Sequence, residues 1–167
     1  MYERQPYAWA PARVWLATRD SRVGRTARPE RGDGHNTAIA EDLSALRPHL
    51  LDLHRRLLEA ERVDLERYGG RLTGAEFLQI ASQSFRLAWL RPLSELIAAI
   101  DEAQEADEAE PAAEAPDVLV ARVRALVAPP DPGTPFGRRY LAMLQVSPAV
   151  VMAHSGLVGA LPPEPAR

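Results

Sequence analysis

The feature that most constrains the fold is a leucine pattern over residues 40–68. Leucines recur there at alternating spacings of three and four, which is the period of one face of an α-helix. The stripe consists of Leu43, Leu46, Leu50, Leu53, Leu57 and Ala60, widened by Leu51, Leu58 and Leu65. Gly69 and Gly70 end the pattern. We predict a long amphipathic helix whose apolar stripe is wide enough to cover two neighbours.

Pro48 lies inside this pattern. A proline in a helix interior costs about 3 kcal/mol, whereas a proline in the first turn costs little. The strong part of the helix is therefore predicted to begin near Arg47.

Capping residues and prolines divide the rest of the chain into shorter helices. Thr73 and Glu76 form a capping box for a second helix to about Leu90, and Pro92 forces a kink or restart before a third helix over 92–105. Further helices are predicted over 118–127 and 136–146. A last helix is predicted to have Ser147 as its N-cap and Pro148 as its first residue and to run to about Ala160. No segment alternates as an amphipathic strand does. The predicted fold is an all-α, single-domain bundle of four to six helices.

The bundle is predicted to occupy residues 39–161, with an acidic linker at about 103–116 and disordered residues at 162–167. Residues 1–38 show no helical or strand period and are predicted to form a disordered arm. Three interpretations of this Arg-rich arm compete: contact with nucleic acid or an acidic partner, a targeting peptide, or a start codon assigned too far upstream. We favour the last. The arginines are Arg4, Arg13, Arg19, Arg22, Arg25, Arg28 and Arg31.

Composition excludes several classes of protein. A chain of 167 residues can bury one core without help, and the lack of cysteine excludes a disulfide framework, a thiolate metal cluster and a cysteine nucleophile. The net charge of −3 argues against a nucleic-acid-coating protein. All 20 basic residues are arginine, which indicates a GC-rich, bacterial genome. No stretch is apolar enough for a membrane span, and no secretory signal is visible, so we expect a cytoplasmic protein without membrane contact.

Two histidines and one carboxylate are candidate ligands of a metal or small molecule. His54 lies among leucines at helical spacing, Glu61 follows on the same side of that helix, and His154 is similarly placed in the last helix. Residues from two helices of a bundle can hold a metal in this way. The spacing lacks the Glu-x-x-His pairs of di-iron bundles and the His-Glu-x-x-His zinc signature. We therefore interpret all three as buried or boundary polar groups and predict neither metal nor cofactor.

The segment from Phe85 to Ser94 combines an aromatic residue with two cations. Trp89 is suited to anchor a partner or line a pocket, and Arg86 and Arg91 are suited to hold a carboxylate or other anion. The alternative is that Trp89 fills the core where Pro92 bends the chain, while the arginines cap the freed carbonyls. We favour the alternative.

No catalytic motif is present. The serines lie outside Gly-x-Ser-x-Gly, and Gly69-Gly70 is not followed by the Gly-Lys-Ser of a phosphate-binding loop. The chain is predicted not to be an enzyme.

Two stretches resemble a family of short bacterial proteins of unknown function. The first runs from Leu50 to Glu61 and Tyr68 and continues over 88–97 and Asp101-Glu102, and the second runs from Arg139 to Pro148 and His154. The resemblance covers about residues 45–158. It implies a shared helical fold and no particular activity, and it favours a start close to the first helix.

Three functional hypotheses follow. The first is a non-enzymatic interaction or adaptor protein, either a homo-oligomer or a binder of another protein, motivated by the wide leucine stripe and the Arg86–Arg91 segment. The second is a bundle that binds a small ligand or metal through His54, Glu61 and His154. The third and weakest is nucleic-acid contact through the N-terminal arm, since the overall charge makes nucleic acid an improbable partner.

Overall fold

The computed structural model describes residues 33–83, 85–106 and 112–163. This part of the chain is all-α: six α-helices and one 3₁₀ helix, with no strand among the described residues. The helices are α1 (Asp33–Gly69), α2 (Gly74–Gln83), α3 (Arg91–Glu105), α4 (Pro116–Val127), α5 (Pro135–Val146) and α6 (Pro148–Ala160). The 3₁₀ helix, Phe85–Leu90, joins α2 to α3.

Helix α1 is the central helix of the bundle, and α3, α4, α5 and α6 all pack against it. Its 37 residues make it about 55 Å long. The predicted leucine stripe faces inward, and Leu46, Leu50 and Leu53 are completely buried. The stripe therefore contributes to the chain's own core, and the homo-oligomer inferred from its width stays a prediction.

The first helix begins earlier than predicted. Helix α1 starts at Asp33, well before residue 40, and Pro48 lies in its interior. The ring removes one N–H, so the carbonyl of Ser44 has no intrahelical donor. Burial of Leu46 and Leu50 on either side of the proline offsets that loss. The remainder of the predicted arm, residues 1–32, lies outside the described residues.

Capping hydrogen bonds and a glycine set several of the helix ends. Thr73 and Glu76 form the predicted capping box, with the Thr73 backbone N–H donating to Glu76 Oε2 at 2.8 Å. Ser147 caps α6 by accepting from the Val150 N–H. Gly70, at φ +81°, terminates α1 in the left-handed region that glycine favours.

The second predicted helix is shorter than expected, because the α-helix ends at Gln83 and the 3₁₀ helix follows. With about three residues per turn, this segment directs Leu87 and Leu90 to the same side, and both are buried together with Trp89. Pro92 then occupies the first turn of α3, so the predicted restart is confirmed.

The predicted linker and tail are only partly described. Helix α3 continues to Glu105, and residues 107–111 lie outside the described ranges. At the end of the chain, the Arg124 guanidinium donates to the Pro162 carbonyl, so the tail is held against α4 at its first residue. Residues 164–167 are not described.

Candidate functional site

A buried carboxylate lies at the centre of the bundle. Glu61, on α1, is 0% exposed and is the one buried charged residue in the described core. Its Oε1 accepts hydrogen bonds from Trp89 Nε1 at 3.1 Å and from Arg139 Nε at 2.6 Å. These bonds connect α1 to the 3₁₀ helix and to α5, so three elements meet at one oxygen.

Asp64 extends this arrangement toward the surface. It lies three residues after Glu61, on the same side of α1, and its Oδ2 accepts from Arg86 Nη2 at 2.7 Å and from Arg139 Nη2 at 3.1 Å. The hydrogen bond from Arg139, followed by that from Arg86, lowers the pKa of Asp64. The bond to Glu61 raises the pKa of Arg139. We call Glu61, Asp64, Arg86, Trp89 and Arg139 the Glu61 network.

One atom of the network has no hydrogen-bond partner. Glu61 Oε2 is buried and accepts no hydrogen bond, and Arg86 Nε lies 3.8 Å away, within ion-pair range. A buried carboxylate costs several kcal/mol unless it is paired, and here two guanidinium groups supply the compensating charge. The network fixes how α1, the 3₁₀ helix and α5 are arranged.

Trp89 fills the core, which confirms the first part of the favoured interpretation. The second part, in which Arg86 and Arg91 cap freed carbonyls, stays a prediction, and Arg86 forms an ion pair with Asp64. Trp89 is 9% exposed, and its ring lies 5.7 Å from the ring of Phe136. Its indole N–H is satisfied by Glu61. Trp89 is therefore a core residue. The exposed residues of this part of the chain are its neighbours, such as Ala88 and Arg91.

His54 lies in a polar pair at the edge of the core. Its Nε2 is 3.1 Å from Ser94 Oγ, and the Ser94 hydroxyl lies 3.3 Å from the Leu90 carbonyl, to which it donates. Ser94 must then accept from His54, which places the proton of the neutral ring on Nε2. Burial lowers the pKa of His54. In this arrangement His54 donates to the serine, whereas a general base would accept from it.

His154 has a separate partner on α5. Its Nδ1 lies 2.8 Å from the Tyr140 hydroxyl, and the two rings meet edge to face. Burial lowers the pKa of His154 and raises that of Tyr140. At neutral pH both groups are therefore uncharged, and one hydrogen bond joins the Tyr140 hydroxyl to His154 Nδ1.

The structure does not bring His54, Glu61 and His154 together. Each has its own partners, and no group of three His, Asp or Glu side chains in the described part of the chain could hold a metal ion. The three-residue site of the second hypothesis is not assembled.

A groove lies on the side of α1 that faces the 3₁₀ helix. It has a volume of about 390 Å³, and its lining combines Arg91, Gln83 and the His54–Ser94 pair with apolar side chains. Phe85, at its edge, is 98% exposed. We call this the Phe85 groove. Its lining residues are His54, Leu58, Ala81, Gln83, Phe85, Leu87, Ala88, Leu90, Arg91 and Ser94.

Four residues of these sites were not predicted from the sequence. The sequence could have pointed to Asp64, since it lies three residues from Glu61 on the same helix face. No local pattern could have pointed to Arg139 or Ser94. Arg139 is 78 residues from its partner Glu61, and Ser94 is 40 residues from its partner His54. Phe85 belonged to the segment singled out in the sequence, but the residues proposed there for contact were Arg86, Trp89 and Arg91.

No single helix in the described ranges is long and apolar enough to cross a membrane, and α5 with α6 reaches that apolarity only as a pair bent by 117°. Comparisons of the chain with protein-family models, with curated proteins and with solved structures gave no match. The resemblance to a bacterial family therefore stays a prediction.

Proposed function

We propose that this chain is a non-enzymatic interaction protein that binds an acidic, apolar segment of another protein in the Phe85 groove. The observation that carries the proposal is the position of Phe85. A phenylalanine that is 98% exposed leaves a whole aromatic ring in water beside a groove of mixed polar and apolar lining. Aromatic side chains in that position are enriched at protein interfaces.

The charge of the groove supports an acidic partner. Arg91 is the one charged group among the lining residues that is cationic at neutral pH, and the lining contains no Asp or Glu. Arg91 makes no ion pair with another described residue, whereas Arg86 is paired with Asp64. A carboxylate next to an aliphatic or aromatic side chain would complement both Arg91 and the exposed Phe85 ring.

The Glu61 network supports a preformed surface. Arg86 and Trp89 follow Phe85 within the same 3₁₀ helix, and both are bonded to carboxylates of α1. These bonds restrain the segment that carries Phe85, which reduces the entropy lost when a partner binds.

The test is site-specific crosslinking in the native host. A photoreactive phenylalanine analogue at position 85 should give one discrete adduct with another protein, and mass spectrometry of the crosslinked peptide should show an acidic, apolar segment. Arg91→Glu in the same chain should remove the adduct, because it reverses the charge facing the partner. The analogue at Val118 is the control, since that side chain on α4 is 46% exposed and lies outside the groove.

Three outcomes would contradict the proposal. One is the same adducts at positions 85 and 118. Another is an adduct that survives Arg91→Glu. A third is a crosslinked peptide from a second copy of this chain, which would make the groove a self-association surface.

A second candidate function is the binding of a small ligand in the same groove. Its volume falls within the usual range for ligand sites, and His54 and Ser94 supply polar groups beside apolar lining residues such as Leu58 and Leu87. Native mass spectrometry of the untagged protein tests this alternative, because a bound molecule would appear as a reproducible extra mass that Phe85→Ala and His54→Gln both remove.

The proposed setting is the bacterial cytoplasm. The exclusive use of arginine as the long basic residue supports a GC-rich bacterial genome, and a chain without cysteine needs no oxidising compartment. Nucleic-acid contact through the N-terminal arm concerns residues outside the described ranges and stays a prediction.

A further inference from the structure

A second cleft lies between α1 and α5, at the point where α5 ends and α6 begins. Its volume is about 380 Å³, and it shares no lining residue with the Phe85 groove. Charged groups and exposed valines are combined in its walls. We call it the Arg67 cleft. Its lining includes Val63, Asp64, Arg67, Arg139, Val146 and Ser147.

The charges around the Arg67 cleft do not cancel. Arg139 donates to both Glu61 and Asp64. Arg86 donates to Asp64 as well, so the Glu61 network contains two carboxylates and two guanidinium groups and has no net charge. Arg67 adds a further cation to the cleft, and it forms no ion pair with another described residue. The cleft therefore carries one uncompensated positive charge.

Two further groups in the cleft have unused hydrogen-bond donors. Ser147 Oγ accepts from the Val150 N–H, and the serine O–H has no acceptor among the described residues. The Arg139 guanidinium uses Nε and Nη2 for its two carboxylates, and its Nη1 donates to no residue in the described part of the chain. The two bonds to carboxylates restrain Arg139, so its remaining N–H groups are positioned before a ligand arrives.

The other lining residues of the cleft are apolar. Val63 on α1 is 60% exposed, and Val146 at the end of α5 is 74% exposed. A hydrocarbon group in the cleft would remove water from both side chains, which favours binding. The volume lies near the lower end of the range for ligand sites, so the cleft suits a small molecule.

We propose that the Arg67 cleft binds a small aliphatic monocarboxylate. Its carboxylate lies on Arg67 and Ser147, and its hydrocarbon tail lies against the two valines. A guanidinium group matches the two oxygens of a carboxylate, and one uncompensated positive charge balances a monoanion. A phosphate monoester fits less well, because it carries about two negative charges at neutral pH and Asp64 repels the second.

NMR spectroscopy of the isotope-labelled full chain tests the site, with sodium octanoate as the probe. Octanoate should cause saturable shifts of backbone amides in the cleft, with a Kd on the order of 1 mM for a ligand of this size. Acetate has the same head group without the tail and should bind at least about tenfold more weakly. The amides expected to shift are those of Val63, Arg67, Val146 and Ser147.

Three results of these titrations would overturn the proposal. One is the absence of saturable shifts in the cleft up to about 20 mM octanoate, far above the expected Kd. Another is acetate that binds as tightly as octanoate, because the apolar wall would then contribute nothing. The third is inorganic phosphate that binds in the cleft more tightly than octanoate.

Charge-matched variants test the head group. Arg67→Gln should raise the Kd for octanoate about fivefold or more, because it removes the uncompensated cation. Arg71→Gln is the control, since Arg71 is also exposed but does not line the cleft, and its Kd should stay within about twofold of the wild-type value. An unchanged Kd in Arg67→Gln, or equal increases in the two variants, would overturn the proposal.

A series of tail lengths tests the apolar wall. From butanoate to octanoate the Kd should fall about twofold per added methylene group, which corresponds to half the free energy of full burial in a cleft open to water. Val146→Ser should reduce this dependence on tail length. Val118→Ser on α4 is the control, since Val118 is 46% exposed and lies outside the cleft. A Kd that does not change with tail length, or that changes equally in both variants, would overturn the proposal.

Discussion

Arg139 donates its Nε–H to Glu61 Oε1 at 2.6 Å, and the two residues are 78 positions apart in the chain. This contact ties α5 to α1 in the middle of an otherwise apolar interior. Glu61 is fully enclosed, whereas the Arg139 side chain is 36% exposed, so solvent screens only one partner of the pair. The asymmetry decides which substitution is more harmful.

Removal of the cation should be the more damaging change. Arg139→Met leaves the Glu61 carboxylate buried without its closest charge partner, and we expect a loss of about 3 kcal/mol in unfolding free energy, at the low end for buried pairs because Arg139 is partly exposed. The double variant Glu61→Met, Arg139→Met should recover part of that loss, since it replaces the pair by apolar groups. Urea denaturation of the four proteins in this cycle measures the coupling. Arg55→Met, at an exposed pair with Asp52, is the control and should not move the midpoint.

Truncation to alanine should lower the stability of the protein at Trp89 but not at Phe85. Trp89→Ala removes a buried ring and the donor to Glu61, and it should cost about 3 to 5 kcal/mol. Phe85→Ala, four residues away on the same 3₁₀ helix, should leave stability unchanged because the ring contacts almost nothing. Chemical denaturation compares the two. A loss below about 1 kcal/mol for Trp89→Ala would contradict its role in the core.

Gly137 should not tolerate a side chain. A Cβ at this position would lie 1.8 Å from the Asp131 carbonyl oxygen, so the turn before α5 would have to move. Gly137→Ala should therefore cost about 2 kcal/mol or more. Gly74→Ala is a matched control in the first turn of α2, where a Cβ meets nothing within 4 Å, and it should be neutral or slightly stabilising. Equal melting temperatures for the two variants would show that the turn is free to move.

Stability should fall as the pH decreases below neutrality. Burial lowers the pKa of His54 and of His154 in the folded state, whereas the same histidines in the unfolded chain bind a proton below about pH 6.5. The unfolded state therefore takes up more protons as the pH falls through that value, and folding loses free energy. The melting temperature should decrease between pH 7.5 and 5.5. The decrease should be smaller in the double variant His54→Gln, His154→Gln, and an unchanged pH dependence would contradict the assignment.

The elements that could be predicted from the sequence are those set by neighbouring residues. Pro135 and Pro148 each stand in the first turn of a helix, and Thr134 and Ser147 cap those helices through local hydrogen bonds. The chemistry of these starts lies within four residues, so a single sequence suffices to place them.

The elements that could not be predicted depend on distant partners. The α-helical period continues from Phe77 through Leu90, yet the chain changes to a 3₁₀ helix after Gln83, where Trp89 is bonded to Glu61 on another helix. Glu61 itself falls on the predicted inner face, but a carboxylate there is stable only because Arg139 reaches it from α5. No spacing within α1 encodes that arginine.

The packing of α1 against α6 has a consequence for synthesis. The core that covers the leucines of α1 is completed by Val150 and Leu157, which lie near the opposite end of the chain. Because α1 precedes α6 in the chain, α1 leaves the ribosome first. Its leucines stay partly exposed until α6 has been synthesised and can pack against them. During that interval the nascent chain exposes an apolar helix surface, which is the kind of segment that chaperones bind.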